Sequence, residues 1–354
     1  MVTTYLRRFY SSFVTHIIDI PPRLLSFLLL LLLLAFPITN APSHILLILV
    51  SVNLMAIFGA SWDLLVGRTG QMSLGHALFF GIGAYTTAIL NVYTDLPILA
   101  TIPVGILLSF VTAVGIGYIT LRMRGPYLAL VSMAFPLILL GAIFYFKDIT
   151  GGERGITALS RFFPYLTLYE QRLAEYFLTL ILLLVSAVIL YKVANSHTGI
   201  AMLSILDDEL ASKACGINVT KYKVMALAIS GIFASLAGSV YAHVMRAVSV
   251  AALMVDLSFM AVIMTILGGI GTIYGPIAGA FIVQLLDRYF LADVIVVSSE
   301  WRFLIYIAVV IILVIKWPRG AARFVTDELE DLEKAREIEE RGPHIWKKYK
   351  KKKK

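Results

Sequence analysis

Charge is scarce in this chain. Asp, Glu, Lys and Arg make up 15% of the 354 residues and hydrophobic residues make up 59%, whereas a soluble domain carries about 25% charged residues. Apolar side chains are numerous enough to cover a surface as well as fill a core, which excludes a water-facing globule and makes hydrocarbon the expected solvent. With a single cysteine, Cys215, no intramolecular disulfide can form. The G-x-x-x-x-G-K-[ST] pattern is missing, so the chain has no phosphate loop of its own. H-E-x-x-H and G-x-S-x-G are missing too, and His76 and His243 have no carboxylate close by in sequence. No catalytic residue, metal site or cofactor is therefore expected. The net charge of +8 is concentrated at one end, where seven of residues 347–354 are lysine. The remainder is close to neutral, which argues against nucleic acid as a partner.

Apolar runs approach the roughly 20 residues needed to cross hydrocarbon near 24–39, 44–66, 72–92, 96–120, 127–146, 174–194, 222–245, 257–270, 273–291 and 302–317. The expected fold is an all-α integral membrane protein of about ten transmembrane helices. The runs at 24–39 and 257–270 are short, consistent with re-entrant or tilted segments. The first run follows Arg7, Arg8 and Arg23 and reads as a retained helix, since Pro37, Asn40 and Pro42 give no clear cleavage site. With both termini inside, Arg68, Arg122, Arg124, the loop 195–221 and the Lys-rich tail fall on one side, as the positive-inside rule requires. The organisation read from the sequence is a cytoplasmic segment 1–23, a membrane domain 24–317, and a cytoplasmic charged helix and Lys-rich tail over 318–354. Residues 324–341 carry i,i+4 acid–base pairs, and the tail fits either an anionic lipid surface or a segment without a specific role.

Four segments carry more than hydrophobicity. Residues 67–85, GRTGQMSLGHALFFGIGAY, combine dense glycine with Gln71, Ser73 and His76. Either these pack helices closely, or an interrupted helix near Gly70 and Gly75 lines a cavity. Residues 121–139 hold Arg122 and Arg124 before Gly125-Pro126, and anchoring explains both arginines. In the long loop 196–223, Leu203, Leu206, Leu210 and Ala214 form a helical stripe, Glu209 and Lys213 pair at i,i+4, and Gly216 is a natural stop. A single amphipathic helix over 200–216 is expected. Its acidic face of Asp207, Asp208 and Glu209 favours a protein partner over anionic lipid. Residues 266–281, ILGGIGTIYGPIAGAF, place Gly268, Gly269, Gly271, Gly275 and Pro276 where a helix must break. The two glycine-rich breaks are expected to meet at a central pathway.

The four segments together resemble the permease subunits of ATP-driven (ABC) importers for branched-chain amino acids, and within them the M-type. The matching stretches run in order: GQMSLGHALFFGIGAY at 70–85, RMRGPYLA at 122–129, DELASKACGINVTKYK at 208–223 and GGIGTIYGPIAGA at 268–280, with TGGERGI at 150–156. The resemblance covers most of residues 45–320. It implies a substrate pathway at Gly70, Gln71, Ser73, Gly75, His76, Gly268, Gly269, Gly271 and Gly275. It also implies a coupling helix that docks on a cytoplasmic ATPase through Leu203, Leu206, Asp207, Asp208, Glu209, Ala211 and Gly216. The general importer pattern is Glu-Ala-Ala-x-x-x-Gly, and here the interval from Glu209 to Gly216 is one residue longer. By the same resemblance, the partners are ATPase subunits that use ATP, a second homologous permease, an extracytoplasmic solute-binding protein and the plasma (inner) membrane of a prokaryote. The alternative is a stand-alone secondary transporter or channel for small polar solutes. It would need a buried carboxylate for coupling, and Asp63, Asp256 and Asp287 are the candidates.

Overall fold

The computed structural model describes residues 42–120, 123 and 126–289, together with 301 and 308. All of these fall in one compact unit, Pro42–Gly320. The span expected at 24–39, that at 302–317 apart from residue 308, the segments 1–23 and 318–354, and Arg122 and Arg124 lie outside the described residues.

The described chain is helical apart from one short pair of strands. Its helices are α1 (Ser43–Thr69), α2 (Ala77–Thr94), α3 (Ile98–Thr120), α4 (Pro126–Tyr145), α5 (Lys147–Thr150), α6 (Leu168–Ala194), α7 (His197–Asp207), α8 (Glu209–Ala214), α9 (Val219–Met245), α10 (Val255–Gly268) and α11 (Tyr274–Leu285). Six helices (α1, α2, α3, α4, α6 and α9) are long and apolar enough to cross a membrane. The protein is thus an all-α, multi-pass membrane protein. At 14 residues, α10 rises only about 21 Å at 1.5 Å per residue. It is short of the roughly 30 Å of a hydrocarbon core, in keeping with the short run at 257–270, whereas α11 runs on as a π-helical turn over 286–289.

The arrangement follows from which helices have a usable outer face. α1 has 83% of its apolar window buried, so it sits at the centre, packed against α6, α9 and α11. α3 and α4 have 22% buried and present apolar side chains outward, as lipid-facing helices do. α9 packs on α2 and α3 through small residues. A Cβ at Gly238 would collide with the Phe80 carbonyl, and one at Gly83 with the Ser235 carbonyl, so the backbones approach as small-residue packing allows.

Several helix starts differ from the sequence reading, those of α6 and α9 among them. α6 begins at Leu168, not near 174, because Thr167 and Glu170 form a capping box in which the Thr167 N–H donates to Glu170 Oε2 at 3.0 Å. Its first turns carry Glu175 into full burial, where Arg172 (2.7 Å) and Gln171 (2.8 Å) satisfy the carboxylate. α9 begins at Val219 because Asn218 Oδ1 accepts from the Lys221 N–H. At the far end of α9, strand β2 (Ala247–Val248) pairs antiparallel with β1 (Ile156–Thr157), joining the loop after α9 to the loop before α6.

Candidate functional site

The first break runs from Gly70 to His76. Gly70 ends α1 in a left-handed conformation (φ 68°) with its N–H on the Val66 carbonyl. The chain then turns back along the last turns of α1 without helical hydrogen bonds, so its backbone groups need other partners inside the protein. Side chains supply them. Ser132 Oγ of α4 accepts from the Leu74 N–H at 2.9 Å, Ser258 Oγ of α10 accepts from the Ala77 N–H at 2.9 Å, and Trp62 Nε1 donates to the Ser73 carbonyl at 2.7 Å. The Gly75 N–H turns to Ser73 Oγ at 3.3 Å. A Cβ at Gly75 would strike the Ser132 carbonyl, which explains the glycine there. His76 is fully buried, with Nε2 2.9 Å from Ser61 Oγ and its ring against Phe58 and Phe79. Ser61 donates to the Phe58 carbonyl, so Nε2 is the donor to Ser61 and Nδ1 is left as an acceptor with no partner among the described residues.

The second break joins α10 to α11. Asp63 of α1, fully buried, accepts from the Gly271 N–H at 2.6 Å with one carboxylate oxygen and from the Ile273 N–H at 2.9 Å with the other. Thr272 Oγ1 accepts from the Gly275 N–H and donates to the Gly269 carbonyl. Ile273 has φ 62° and ψ −47°, and the Tyr274 N–H reaches the Thr272 carbonyl at 2.8 Å across it. This is a γ-turn in its strained form on a β-branched residue, held by the Asp63 carboxylate. The two short helices then close on each other, since a Cβ at Gly268 or Gly279 would enter the backbone of Gly275 or Met264.

The two breaks share α1 but lie on opposite faces of it. At about 100° per residue, Gly59, Asp63 and Gly67 form one face and meet α10, α11 and the second break. Phe58, Ser61 and Leu65 form the other and meet the first break or the cavity beside it. That cavity, about 20 Å³, is lined by Gln71, Ser73 and Gly75 but by none of Gly268, Gly269, Gly271 or Gly275. His76 also stands off it. Asp63 thus holds the second loop on the face of α1 away from this cavity, and the two breaks do not meet in it. The same bonds give Asp63 a structural task. Asp256 is exposed in the first turn of α10.

The expected single helix over 200–216 is two. α7 stops at Asp207, Asp208 is extended (φ −154°), and its side chain accepts from the Leu210 and Ala211 N–H groups at 2.8 and 3.0 Å to start α8. An aspartate that bonds its own downstream backbone competes with helix continuation, and that breaks the predicted stripe. Met202, Ile205 and Ser212 are buried and Leu203 is half-buried. Leu206 (41%) and Leu210 (66%) are exposed beside Asp207, Asp208 and Ala211. Glu209 pairs with Lys213 at 2.9 Å as expected, and also with the buried Lys223 at 3.0 Å, which ties α8 to α9. Partial burial pushes the Glu209 carboxyl up, but the two lysines outweigh it and hold it below the usual carboxylate range. Gly216 ends α8 at φ 82°, with its N–H on the Lys213 carbonyl. Leu206 reaches the first break: a Cβ on Gly70 would come within 2.9 Å of Leu206 Cδ1.

Trp62, Ser132 and Ser258 are partners that sequence reasoning missed, and Asp63, singled out there as a candidate coupling carboxylate, holds a loop instead. Nothing in spacing marks Ser132 or Ser258, because each acts across the bundle. Among the described residues no three His, Cys, Asp or Glu side chains are grouped to hold a metal.

A family model described as branched-chain amino acid transport system / permease component matches residues 44–314. The chain is similar to the high-affinity branched-chain amino acid transport system permease proteins LivM of Salmonella typhimurium and of Escherichia coli. Each is 26% identical over 301 residues, covering 77% of this chain and 69% of the relative. No solved structure matches.

Proposed function

The chain belongs to the branched-chain amino acid transport system permease family, and from that premise we propose that it forms the translocation pathway for branched-chain or related amino acids. It is a permease subunit of an ATP-driven (ABC) importer. It contributes the membrane passage, while separate cytoplasmic subunits bind and hydrolyse ATP. A second homologous permease completes the passage and an extracytoplasmic solute-binding protein delivers the substrate. The setting is the inner membrane of a prokaryote, with both termini in the cytoplasm, as the distribution of Arg and Lys supports.

The observation that carries this reading is the α7–α8 pair. It exposes Leu206 and Leu210 beside Asp207 and Asp208, a small apolar knob with an acidic rim that suits a groove on a soluble partner. Leu206 touches the glycine at which α1 gives way to the first break. A push on this pair is passed to the one turn where the backbone of the span is not helical. ATP binding can shift the equilibrium between outward- and inward-open forms only through contacts that differ between them, and this contact is placed to differ. Gln71, Ser73 and Gly75 line the pathway side of the break. Gly268, Gly269, Gly271 and Gly275 shape the neighbouring hairpin.

The test is co-purification from mild detergent of the tagged chain and its Leu206→Asp and Leu210→Asp variants. Recovery of ATPase subunits and a second permease with the parent chain, lost with either variant, is expected. Recovery of the parent chain alone across repeats would overturn the reading.

A further inference from the structure

The cavity at residues 71–75 has an uneven chemistry. Its far wall is apolar, formed by Ile116 of α3, Leu128 and Phe135 of α4 and Leu227 of α9, and no charged side chain lines it. The hydroxyl of Ser132 is already engaged, accepting from the Leu74 N–H and donating to the Ala129 carbonyl. Gln71 differs. It is 3% exposed, and one end of its amide lies 3.3 Å from Thr69 Oγ1, whose proton is already on the Leu65 carbonyl at 2.6 Å, so the amide NH₂ donates to Thr69 and its oxygen is left without a partner among the described residues. A buried amide end left unpaired is costly and marks a place where a ligand atom or a water completes the bonding. A residue with one open hydrogen-bonding end thus lines the same cavity as an uncharged aliphatic and aromatic wall.

Among the described residues, the wall that α4 supplies is also the lightly held one. α4 packs sparsely on α2 and α3, whereas α9 packs densely on both. One tie between α4 and the break is the hydrogen bond from the Leu74 N–H to Ser132. At about 20 Å³ the cavity has room for a single water, so a larger occupant requires α4 to move outward.

We propose that this cavity is the specificity subsite of the pathway, closed in this structure. It receives the side chain of an aliphatic amino acid against Ile116, Leu128, Phe135 and Leu227, while the Gln71 carboxamide bonds the polar head. An amide suits that task because it can offer either a donor or an acceptor. The wall excludes charged side chains, which would be stripped of water with no partner, and Phe135 and Leu128 set the size limit. The proposal rests on the importer reading above.

The experiment is ATP-driven uptake of leucine and of valine by the complete complex in liposomes, with the solute-binding protein saturated by each. Phe135→Ala is expected to raise the leucine-to-valine ratio about 10-fold, the low end of one-methylene discrimination in a hydrophobic pocket. Leu128→Ala and the milder Phe135→Leu shift the ratio less, in the same direction. A ratio does not depend on how much of a variant folds, and Phe135→Leu stands in if Phe135→Ala fails to assemble. Gln71→Leu lowers uptake of both substrates and leaves the ratio near its parent value. Unchanged ratios in all the wall variants, with uptake continuing, make the cavity a packing void or the seat of one water and overturn the proposal. No amino-acid uptake by the parent complex is a different result, and it would sink the importer reading instead.

Discussion

Replacing Asp63 by alanine tests the logic of the second break. Both oxygens of this carboxylate are committed, to the Gly271 N–H at 2.6 Å and the Ile273 N–H at 2.9 Å. A hydrogen bond to a charged group contributes about 1.5–3 kcal/mol, so the pair contributes about 3–6 kcal/mol to the fixed loop. Part of that offsets the γ-turn at Ile273, whose φ of 62° costs on the order of 1–3 kcal/mol for a residue with a Cβ. Without the carboxylate the two N–H groups lose their partners, no bulk water replaces them, and the turn has nothing to hold it. Asp63→Asn keeps one acceptor oxygen and points an NH₂ at the second N–H, so about half the loss is expected. The assay is the midpoint of heat-induced loss of the monodisperse peak in detergent, read as a kinetic stability because unfolding there is irreversible. The expected order is parent above Asp63→Asn above Asp63→Ala. An Asp63→Ala midpoint equal to the parent would refute the reasoning. So would an Asn variant less stable than the Ala variant, because it would show that the carboxylate is not what holds the loop.

Further expectations follow from single contacts. Gly70→Ala adds a Cβ at φ 68° that also meets Leu206, and is expected to lower stability by about 1–2 kcal/mol. Combining it with Leu206→Ala relieves the collision but leaves the φ penalty, so the midpoint recovers in part. Gly238→Val drives side-chain atoms into the Phe80 carbonyl and is expected to abolish accumulation of folded protein, scored by gel filtration of membrane extracts. For pH, the folded Glu209 carboxyl lies below its ordinary range. The stabilisation it contributes is therefore complete above the unfolded value and is lost as pH falls through the folded value. The midpoint of heat-induced loss of the monodisperse peak is expected to fall as the pH drops below about 4.3, the ordinary Glu value. In Glu209→Gln that acid-dependent part should vanish, at a cost near neutral pH of about 1 kcal/mol or less for so shallow a pair.

The glycine-rich stretches were legible because clustered glycine and proline in an apolar run cannot continue a regular helix, and both breaks lie where they were read. The spans at 44–66, 96–120 and 127–146 were legible for a related reason: a long apolar run with a turn signal at each end allows little else. What could not be read is what satisfies each break. Ser258 lies 181 residues from the N–H it bonds, and Asp63 lies 208 from Gly271. Sequence periodicity reports on neighbours within a few turns. The helix over 200–216 failed for a local reason: its leucine spacing fits one helix well, but Asp208 bonds its own backbone and restarts the chain. A cue was present, since aspartate two and three residues before free N–H groups is an N-cap pattern, and the apolar stripe masked it.

The different furnishing of the two breaks has a consequence for movement. The second is held by a buried carboxylate on two N–H groups, bonds that are strong and costly to unmake inside a protein. The first is held by neutral hydroxyls and an indole, one bond from each of α1, α4 and α10. Neutral bonds of this kind contribute about 0.5–1.5 kcal/mol each, and hydroxyls can turn to new partners. If one part of the bundle is to change shape while α1 stays in place, the first break yields at lower cost. It is also the break that Leu206 touches. On the importer reading, the ATPase contact acts on the loosely bonded break, and the Asp63 clamp keeps the α10–α11 hairpin fixed to α1 while it does so. Swapping the strengths should invert this. Asp63→Asn would loosen the hairpin and let the push dissipate there, so ATP hydrolysis should continue while uptake per ATP falls. A variant that lost both in proportion would show that the clamp serves stability alone.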